Sequence, residues 1–236
     1  MAPSCGKSEE SEESAKMNQV SAKSRADAAA GKIANQLGRE LAAAGLTAGQ
    51  PVFIRAFKRE KVLEFYIFHP EKKIYQLFKS YEIAGMSGVL GPKLAEGDLQ
   101  VPEGFYHVGP SAMNPQSKFH LAFNIGFPNA YERGHGWTGS FIMIHGDTAS
   151  IGCLAMTDPV IEEIYSLCVA AHRGGQGFFR VHIFPFRMDE ASMAEQMEHR
   201  WAGFWENLQE GYAWFEREKL PPEVGVAEGR YTFQRD

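Results

Sequence analysis

The sequence predicts a mostly β domain with flanking helices. Short runs of β-branched and aromatic residues recur through the middle of the chain, separated by turn residues, as is typical of antiparallel sheets. Alanine-rich helical periodicity precedes this region, and an aromatic-rich helical pattern follows it. With 236 residues, 44% hydrophobic and 22% charged, the chain can form one globular domain with appendages.

The N-terminal part of the chain divides into two predicted segments. Residues 1–24 are rich in Ser, Glu and Lys and predict a disordered linker, because they have too little apolar surface to offset the entropy of ordering. Residues 25–50 predict an N-terminal helix. Ile33, Leu37 and Leu41 fall on one helical face, which we expect to pack on the flank of the domain.

Residues 51–188 predict the β domain itself. Its glycine- and proline-rich stretch from 85 to 104 predicts an ordered loop. Asp158-Pro159 predicts a helix start, with Asp158 as the cap and Pro159 at the first helical position. Together the elements predict a mostly antiparallel β-sandwich or barrel. The predicted strands are residues 52–57, 62–68, 74–83, 105–108, 119–126, 140–145 and 178–184.

Residues 189–236 predict a C-terminal helical extension. Methionine and aromatic residues recur at helical spacing from Asp189 to Lys219, which indicates one long amphipathic helix or a helical pair. We interpret it as a cover for the sheet; the alternative is that its aromatic face lines a groove. The tail after Pro221-Pro222 is predicted to be irregular.

Composition argues against several classes of function. A net charge of −5 gives no support for binding to nucleic acid or to an anionic membrane, both of which favour basic patches. Cys5, Cys153 and Cys168 are too few for a disulfide framework or a structural zinc site, and we expect neither metal nor cofactor. No apolar run approaches the roughly 18 residues of a transmembrane span.

The main chemical hypothesis concerns residues 142–158. His145 and Cys153 lie eight positions apart around a polar turn, so the chain can fold back to bring them within hydrogen-bond reach. His145 can then accept the thiol proton, and the imidazolium stabilises the thiolate. The amides of Gly152 and Cys153 can face a developing oxyanion. The alternative is that Cys153 is a small buried hydrophobe and His145 a structural strand-end residue.

The wider pattern resembles the catalytic signature of the L,D-transpeptidase (YkuD) family. Met143-Ile144-His145-Gly146, followed by Ser150-Ile151-Gly152-Cys153, is similar to the His-Gly pair and the Ser-His-Gly-Cys block of that family. Ile151 replaces the histidine of the block, and the interval from His145 is short. Both departures resemble the YafK-like branch, usually called murein L,D-transpeptidases. The resemblance also covers residues 90–93, 102–106, 119–124 and 184–185.

This resemblance implies a β-sandwich catalytic domain in residues 51–188 that acts on peptidoglycan stem peptides. Cys153 would attack an amide at diaminopimelate and form a thioester, with His145 as base and then acid. The Gly146 carbonyl would orient the imidazole. Gly152, Ser150 and Asp147 are expected to support the site, although Asp147 fits a solvated turn equally well.

Four residues are candidates for substrate binding. His120 and Asn124 share one face of a predicted strand, which either lines the cleft or faces solvent. Arg133 suits a carboxylate, because guanidinium matches its geometry. Tyr131 begins a predicted lid over residues 131–137.

The fate of the thioester leaves several functions open. Hydrolysis would release peptide or protein linked to diaminopimelate, such as a covalently attached outer-membrane lipoprotein, and is favoured because the altered signature changes the acceptor pocket. An amine acceptor would instead give cross-links or protein attachment. A non-catalytic cell-wall binding domain and a cytosolic cysteine hydrolase are further alternatives. The resemblance implies a periplasmic protein; the sequence shows no signal segment, and Cys5 is a candidate for lipid anchoring.

Overall fold

A computed structural model of the protein describes residues 9–235. Within this range it contains two β-sheets, a C-terminal hairpin and five α-helices, which confirms the predicted β-rich domain with flanking helices. The helices are α1 Glu9–Ala43, α2 Ala130–Gly134, α3 Asp158–Arg173, α4 Glu190–Ala194 and α5 Ala202–Glu218. None of the described helices has both the length and the apolar composition that a bilayer-spanning segment requires.

The first sheet has five strands in the order β3-β2-β1-β9-β4. Its central strand β1 is buried along its whole length, as expected for a strand with both neighbours paired and both faces covered. Pairings are antiparallel except between β1 and β9, which run parallel. The strands are β1 Val52–Phe57, β2 Val62–His69, β3 Ile74–Glu82, β4 Gly104–Val108 and β9 Phe179–Phe184.

The second sheet has four short strands in the order β5-β6-β7-β8. Strands β7 and β8 are parallel neighbours. The strands predicted at 119–126 and 140–145 are shorter in the structure because His120 and Phe141 have φ of 67° and 53°, and such left-handed residues do not continue a strand. The strands are β5 Met113–Asn114, β6 Ala122–Asn124, β7 Met143–His145 and β8 Leu154–Ala155.

One apolar core joins both sheets to helices α1 and α3. It includes Phe65 from the first sheet, Ile144 from the second, Leu37 from α1 and Ile161 from α3. Cys168 of α3 is fully buried in this core, so it is a packed side chain with no access to solvent. The two sheets therefore share a core, which fixes the second sheet, and the His145 strand within it, against the rest of the domain.

A buried ion pair joins the five-stranded sheet to α5 and to the loop before β4. Lys58 Nζ lies 2.9 Å from Glu103 Oε1 and also donates to the carbonyls of Gly91 and Val101. Glu103 Oε2 accepts from Trp205 Nε1 at 2.8 Å. Because the charges and their remaining polar atoms are bonded, burial is tolerated, whereas removal of one partner would leave a buried charge unpaired.

Helix α1 corrects the predicted N-terminal linker. The helix begins at Glu9, so residues 9–24 are helical rather than a disordered linker. Residues 9–24 contain four Glu, two Ala and two Lys, which have high intrinsic helix propensity, and this outweighs the low apolar content of the segment. Residues 1–8, with the proposed lipidation site Cys5, lie outside the described residues.

The chain end corrects a second prediction. Of the two predicted alternatives, one long helix or a helical pair, the structure has the pair α4 and α5. The tail expected to be irregular instead forms the hairpin β10 Glu223–Ala227 and β11 Arg230–Gln234. Its loop residues Glu228 and Gly229 both have positive φ, as a two-residue type I′ turn requires. The Asn207 side chain of α5 bonds both backbone groups of Tyr231, a tertiary contact that sequence patterns do not reveal.

Candidate active site

His145 ends strand β7 of the second sheet, and Cys153 lies immediately before β8, the neighbouring parallel strand. The register pairs Ile144 with Leu154, which places Cys153 beside Met143. Alternate residues of a strand share a face, so Met143 and His145 project from the same side of the sheet as the thiol. The strand pairing thus places the two predicted reactive residues on the same face of the sheet, two register positions apart.

The Cys153 thiol contacts backbone groups of the preceding segment. Met143 N donates to Sγ at 3.3 Å, and Sγ donates to the carbonyl of Phe141 at 3.7 Å. Burial raises the pKa of the Cys153 thiol, while the Met143 amide and the nearby Lys93 ammonium oppose this effect. The neutral thiol is therefore favoured over the thiolate in the unliganded site.

The His145 ring is almost completely buried, with 2% of the residue exposed. Its Nδ1 lies 2.5 Å from the Gly146 carbonyl, and the Phe119 ring covers it at a centroid distance of 4.7 Å. A carbonyl only accepts, so Nδ1 carries the proton and Nε2 is left as the basic nitrogen. Burial lowers the pKa of His145, against the raising effects of the Gly146 carbonyl and Asp147.

The two side chains form no ion pair in this state. Among the hydrogen bonds of the described residues, none joins His145 to Cys153, and the shifted pKa values favour the neutral form of both groups. The two pKa directions therefore oppose the transfer of the thiol proton to His145 that the sequence predicts, and that transfer stays a prediction. The physical reason is burial, which disfavours separated charge on both groups.

Gly146 occupies a position where a side chain would not fit. A Cβ at this residue would lie 2.5 Å from Asp158 Oδ1 and 2.9 Å from the Phe119 carbonyl oxygen. Asp158 Oδ1 accepts from the Asp147 amide at 2.8 Å, so this carboxylate braces the turn after His145 rather than capping its own helix as predicted. Asp147 is exposed to solvent. The hydrogen bond from the Thr148 amide is the main cause that lowers the pKa of its carboxyl group, as for a solvated turn carboxylate.

The amides expected to face an oxyanion have hydroxyl partners here. Gly152 N donates to Ser87 Oγ at 2.6 Å, and Cys153 N donates to Ser150 Oγ at 3.0 Å. Ser150 Oγ in turn donates to the Cys153 carbonyl at 2.5 Å. Ser150 thus supports the turn that carries the thiol. The contribution of Ser87 was missed, because it comes from a loop 65 positions away and no local pattern marks it.

An open cleft of about 450 Å³ has no charged side chain among its lining residues. It is lined by Phe141 and Met143, whose backbone groups contact the Cys153 thiol, but not by Cys153 or His145. It shares Gly126 with a second cavity of about 290 Å³, which extends towards the C-terminal hairpin and includes Arg133. The cleft is lined by Ser111, Ala112, Met113, Asn114, Asn124, Gly126, Phe141 and Met143. The second cavity is lined by Phe105, Tyr106, His107, Gly126, Asn129, Ala130, Arg133, Val224, Val226 and Tyr231.

The four predicted substrate residues separate into two pairs. Asn124 lines the cleft, and Arg133 lines the second cavity. His120 instead bonds Glu162 of α3 at 3.0 Å through its Nε2. Tyr131 is buried in α2 and stacks on Tyr231 at 4.3 Å, so residues 131–137 begin as a packed helix rather than a free lid. His120 and Tyr131 are thus held in packing contacts and line neither cavity.

Comparison of the amino-acid sequence with known proteins shows the family to which the chain belongs. The chain is 46% identical over 187 residues to the protein named "Putative L,D-transpeptidase YafK" of Escherichia coli K12, covering 79% of this chain and 75% of that protein. The homologue of E. coli O157:H7 gives the same figures. No family model matches the sequence. The chain therefore belongs to the L,D-transpeptidase family, in its YafK-like branch.

Solved structures give a more distant similarity. The helical cell shape determining protein Pgp2 of Campylobacter jejuni, as its K307A mutant, aligns with a TM-score of 0.48 and 21% identity over 71% of this chain. Bd1075 of Bdellovibrio bacteriovorus aligns with a TM-score of 0.40 and 17% identity over 70% of this chain. The chain spans 57% of the length of the Pgp2 K307A chain and 58% of the Bd1075 chain.

Proposed function

We propose that the protein is a periplasmic cysteine enzyme that attacks an amide at the diaminopimelate of a peptidoglycan stem peptide. One observation carries the proposal: the pairing of β7 with β8 places His145 and Cys153 on one face of the sheet, in a chain 46% identical to a protein named as an L,D-transpeptidase. In this proposal the two sheets correspond to the β-sandwich core expected of the family. Cys153 is the nucleophile, His145 the acid and base, and the Gly146 carbonyl orients the ring.

The first half-reaction forms a thioester on Cys153. As Sγ attacks the amide carbonyl carbon, His145 Nε2 accepts the thiol proton, because both groups are neutral before substrate arrives. The resulting imidazolium keeps its Nδ1–H bond to Gly146 O, which limits rotation of the ring. It then donates the proton to the leaving amine nitrogen as the C–N bond breaks. The acyl group remains on sulfur, and the amine leaves neutral.

The oxyanion of the tetrahedral intermediate would bind the amides of Gly152 and Cys153. These amides already point at hydroxyl oxygens of Ser87 and Ser150, which occupy the acceptor positions. An oxyanion is a stronger acceptor than a hydroxyl, so it can displace them. In this proposal Ser87 and Ser150 hold the amides in place until substrate binds.

The cleft and the second cavity, which share Gly126 as a lining residue, suit an extended peptide. The cleft has neutral walls, with the Asn124 amide as one polar group, and the second cavity is lined by the exposed Arg133. A stem peptide whose acyl carbon lies at Cys153 can direct a diaminopimelate or terminal carboxylate towards the guanidinium. We therefore propose that Asn124 and Arg133 bind substrate.

Hydrolysis is the favoured fate of the thioester. Ile151 replaces the signature histidine and is 74% exposed two positions before the thiol, so an apolar side chain borders the acceptor side of the site. An apolar side chain at this position cannot hydrogen-bond an incoming amine. Water can reach the thioester without such a hydrogen-bond partner. The proposed product is a peptide or a protein, such as an outer-membrane lipoprotein, released from diaminopimelate.

Incubation with purified sacculi tests the proposal. Sacculi with and without covalently attached lipoprotein are treated with wild type, Cys153→Ala or the control Cys168→Ala, and products are resolved by mass. We expect wild type and Cys168→Ala to release protein or stem-peptide fragments, while Cys153→Ala releases none. New cross-links or amine exchange would make the protein a transferase. Equal products from wild type and Cys153→Ala would overturn the thiol mechanism.

A further inference from the structure

Helix α1 reaches across the domain to a turn next to the proposed catalytic histidine. Arg25 NH1 donates to the carbonyls of Ser117 at 3.2 Å and His120 at 2.9 Å. Both acceptors belong to residues 117–120, which we call the 117–120 turn and which lead into β6. His120 has a φ of 67°, and a carbonyl in such a turn lacks a partner from regular secondary structure. Arg25 supplies that partner from a helix more than ninety positions earlier in the chain.

The 117–120 turn makes two direct contacts with the His145 segment. The Phe119 ring lies 4.7 Å from the His145 ring, with 34° between their planes. Gly146 N donates to the carbonyls of Phe119 and Leu121, each at 3.1 Å, and Gly146 O is the acceptor for His145 Nδ1. The position of Phe119 therefore affects one face of the imidazole. It also affects Gly146, the residue that fixes the tautomer.

A second link ties the same turn to α1 through α3. His120 Nε2 lies 3.0 Å from Glu162 Oε1, and Lys32 Nζ lies 2.9 Å from Glu162 Oε2. Glu162 is 8% exposed, so this bridge is shielded from solvent on the α3 side. The turn is thus fastened at its backbone by Arg25 and at the His120 side chain by Glu162.

We propose that Arg25 is a positioning residue for His145, acting through the 117–120 turn and the Phe119 ring. This inference rests on the proposed function in one respect: the proposed reaction is the one whose rate Arg25 affects. It gives helix α1 a part in the active-site scaffold beyond packing on the flank of the domain. Arg25 touches neither His145 nor the thiol in any contact of the described residues, so its effect is indirect.

Loss of Arg25 has a definite expected consequence. Without the guanidinium, the carbonyls of Ser117 and His120 must accept hydrogen bonds from water instead, and the 117–120 turn can move away from His145. A displacement on the order of 1 Å at a reacting group can cost up to about a hundredfold in rate. Because the link is indirect and Glu162 still holds His120, we expect kcat to fall about tenfold with KM changed less than twofold.

Arg25→Ala is compared with Arg25→Lys and with Arg39→Ala. Arg39 is exposed on the same helix, so its removal deletes a cation of α1 away from the turn. We expect the kcat loss in Arg25→Ala, partial recovery in Arg25→Lys, which keeps a donor, and wild-type values in Arg39→Ala. Denaturant unfolding of each variant gives the stability loss separately, and a variant that is less stable but retains full kcat would overturn the inference.

NMR titration of His145 tests the inference without any substrate. The ring resonance is assigned by its loss in His145→Gln. Burial lowers the pKa of His145, and the Phe119 ring packs against the imidazole at 4.7 Å. If Arg25→Ala lets that ring move away, the pKa should rise towards the ordinary histidine value, with Asp147, the charged group beside the ring, unchanged. Arg39→Ala should leave it at the wild-type value. An unchanged titration in Arg25→Ala would contradict the inference even if the sacculus experiment supports the proposed function.

A double-mutant cycle identifies the route. Phe119→Leu removes the ring contact, and if Arg25 acts through that ring, the two substitutions together should lower kcat by little more than the larger single effect. If the fold-decreases in kcat of the two single variants multiply in the double variant, Arg25 acts by a different route. Absence of any Cys153-dependent turnover would refute the proposed reaction, while the titration would still decide the positioning role.

Discussion

Replacement of Gly146 by alanine perturbs the site at the point where the structure leaves no room. The new Cβ would lie 2.5 Å from Asp158 Oδ1, 2.9 Å from the Phe119 carbonyl oxygen and 3.0 Å from Ile161 Cγ2. Two of these three neighbours are rigidly placed, because the Phe119 carbonyl accepts from Gly146 N and Asp158 accepts from Asp147 N. The methyl group therefore displaces the turn rather than the neighbours.

The expected cost follows from these contacts. Overpacking of a tight site costs about 1–3 kcal/mol, and loss of the Asp147–Asp158 hydrogen bond adds about 1 kcal/mol. We therefore expect Gly146→Ala to lower the free energy of unfolding by about 2–4 kcal/mol. The same movement shifts the carbonyl that orients His145, so the rate of thioester formation should fall by about a hundredfold.

Gly203→Ala is the matched control. Gly203 lies in the first turn of α5, has no heavy atom within 4 Å of an added Cβ and is far in sequence from the site. Alanine there should stabilise the protein by at most about 1 kcal/mol and leave turnover unchanged. Urea unfolding and single-turnover kinetics measure both effects. Gly146→Ala within 0.5 kcal/mol of wild type, with wild-type turnover, would refute the steric and orienting roles of Gly146.

Two further predictions concern protons. Burial raises the pKa of Glu132 to about 7 from 4.5, so the folded protein retains a proton that the unfolded chain releases between these values. Stability should fall by about 3 kcal/mol as pH rises through that window, and unfolding of Glu132→Gln should show a flatter profile. Because burial raises the pKa of Cys153, its alkylation by iodoacetamide should accelerate with pH beyond 8.5, the ordinary thiol value. A rate plateau below pH 7 would instead indicate a preformed thiolate.

Local sequence patterns predicted the parts of the fold that local forces determine. Strand β1 lies where its β-branched and aromatic run was predicted, and α3 begins at Asp158 as the Asp-Pro pair indicated. The hairpin after Pro222 was missed because its turn is Glu-Gly rather than Asn-Gly or Asp-Gly, and because Asn207 of a distant helix holds it.

The candidate site shows the same division. The signature segment identified His145, Gly146 and Cys153, and the contact between the His145 ring and the Gly146 carbonyl is present. The partners that shape these residues, Ser87 and Arg25, come from parts of the chain 65 and 92 or more positions away from the groups they bind. Such contacts depend on tertiary packing, so no spacing in the sequence indicates them.

The most direct test of a Cys153 thioester is the intact mass of the protein after rapid acid quenching. Wild type, Cys153→Ala and Cys168→Ala are mixed with purified tetrapeptide muropeptides and quenched over time, and the modified residue is located by peptide mapping. We predict an acyl adduct on Cys153 in wild type and Cys168→Ala, which disappears as product accumulates, and no adduct in Cys153→Ala. Turnover with no adduct on Cys153 at any time, or an adduct that persists in Cys153→Ala, would contradict the account.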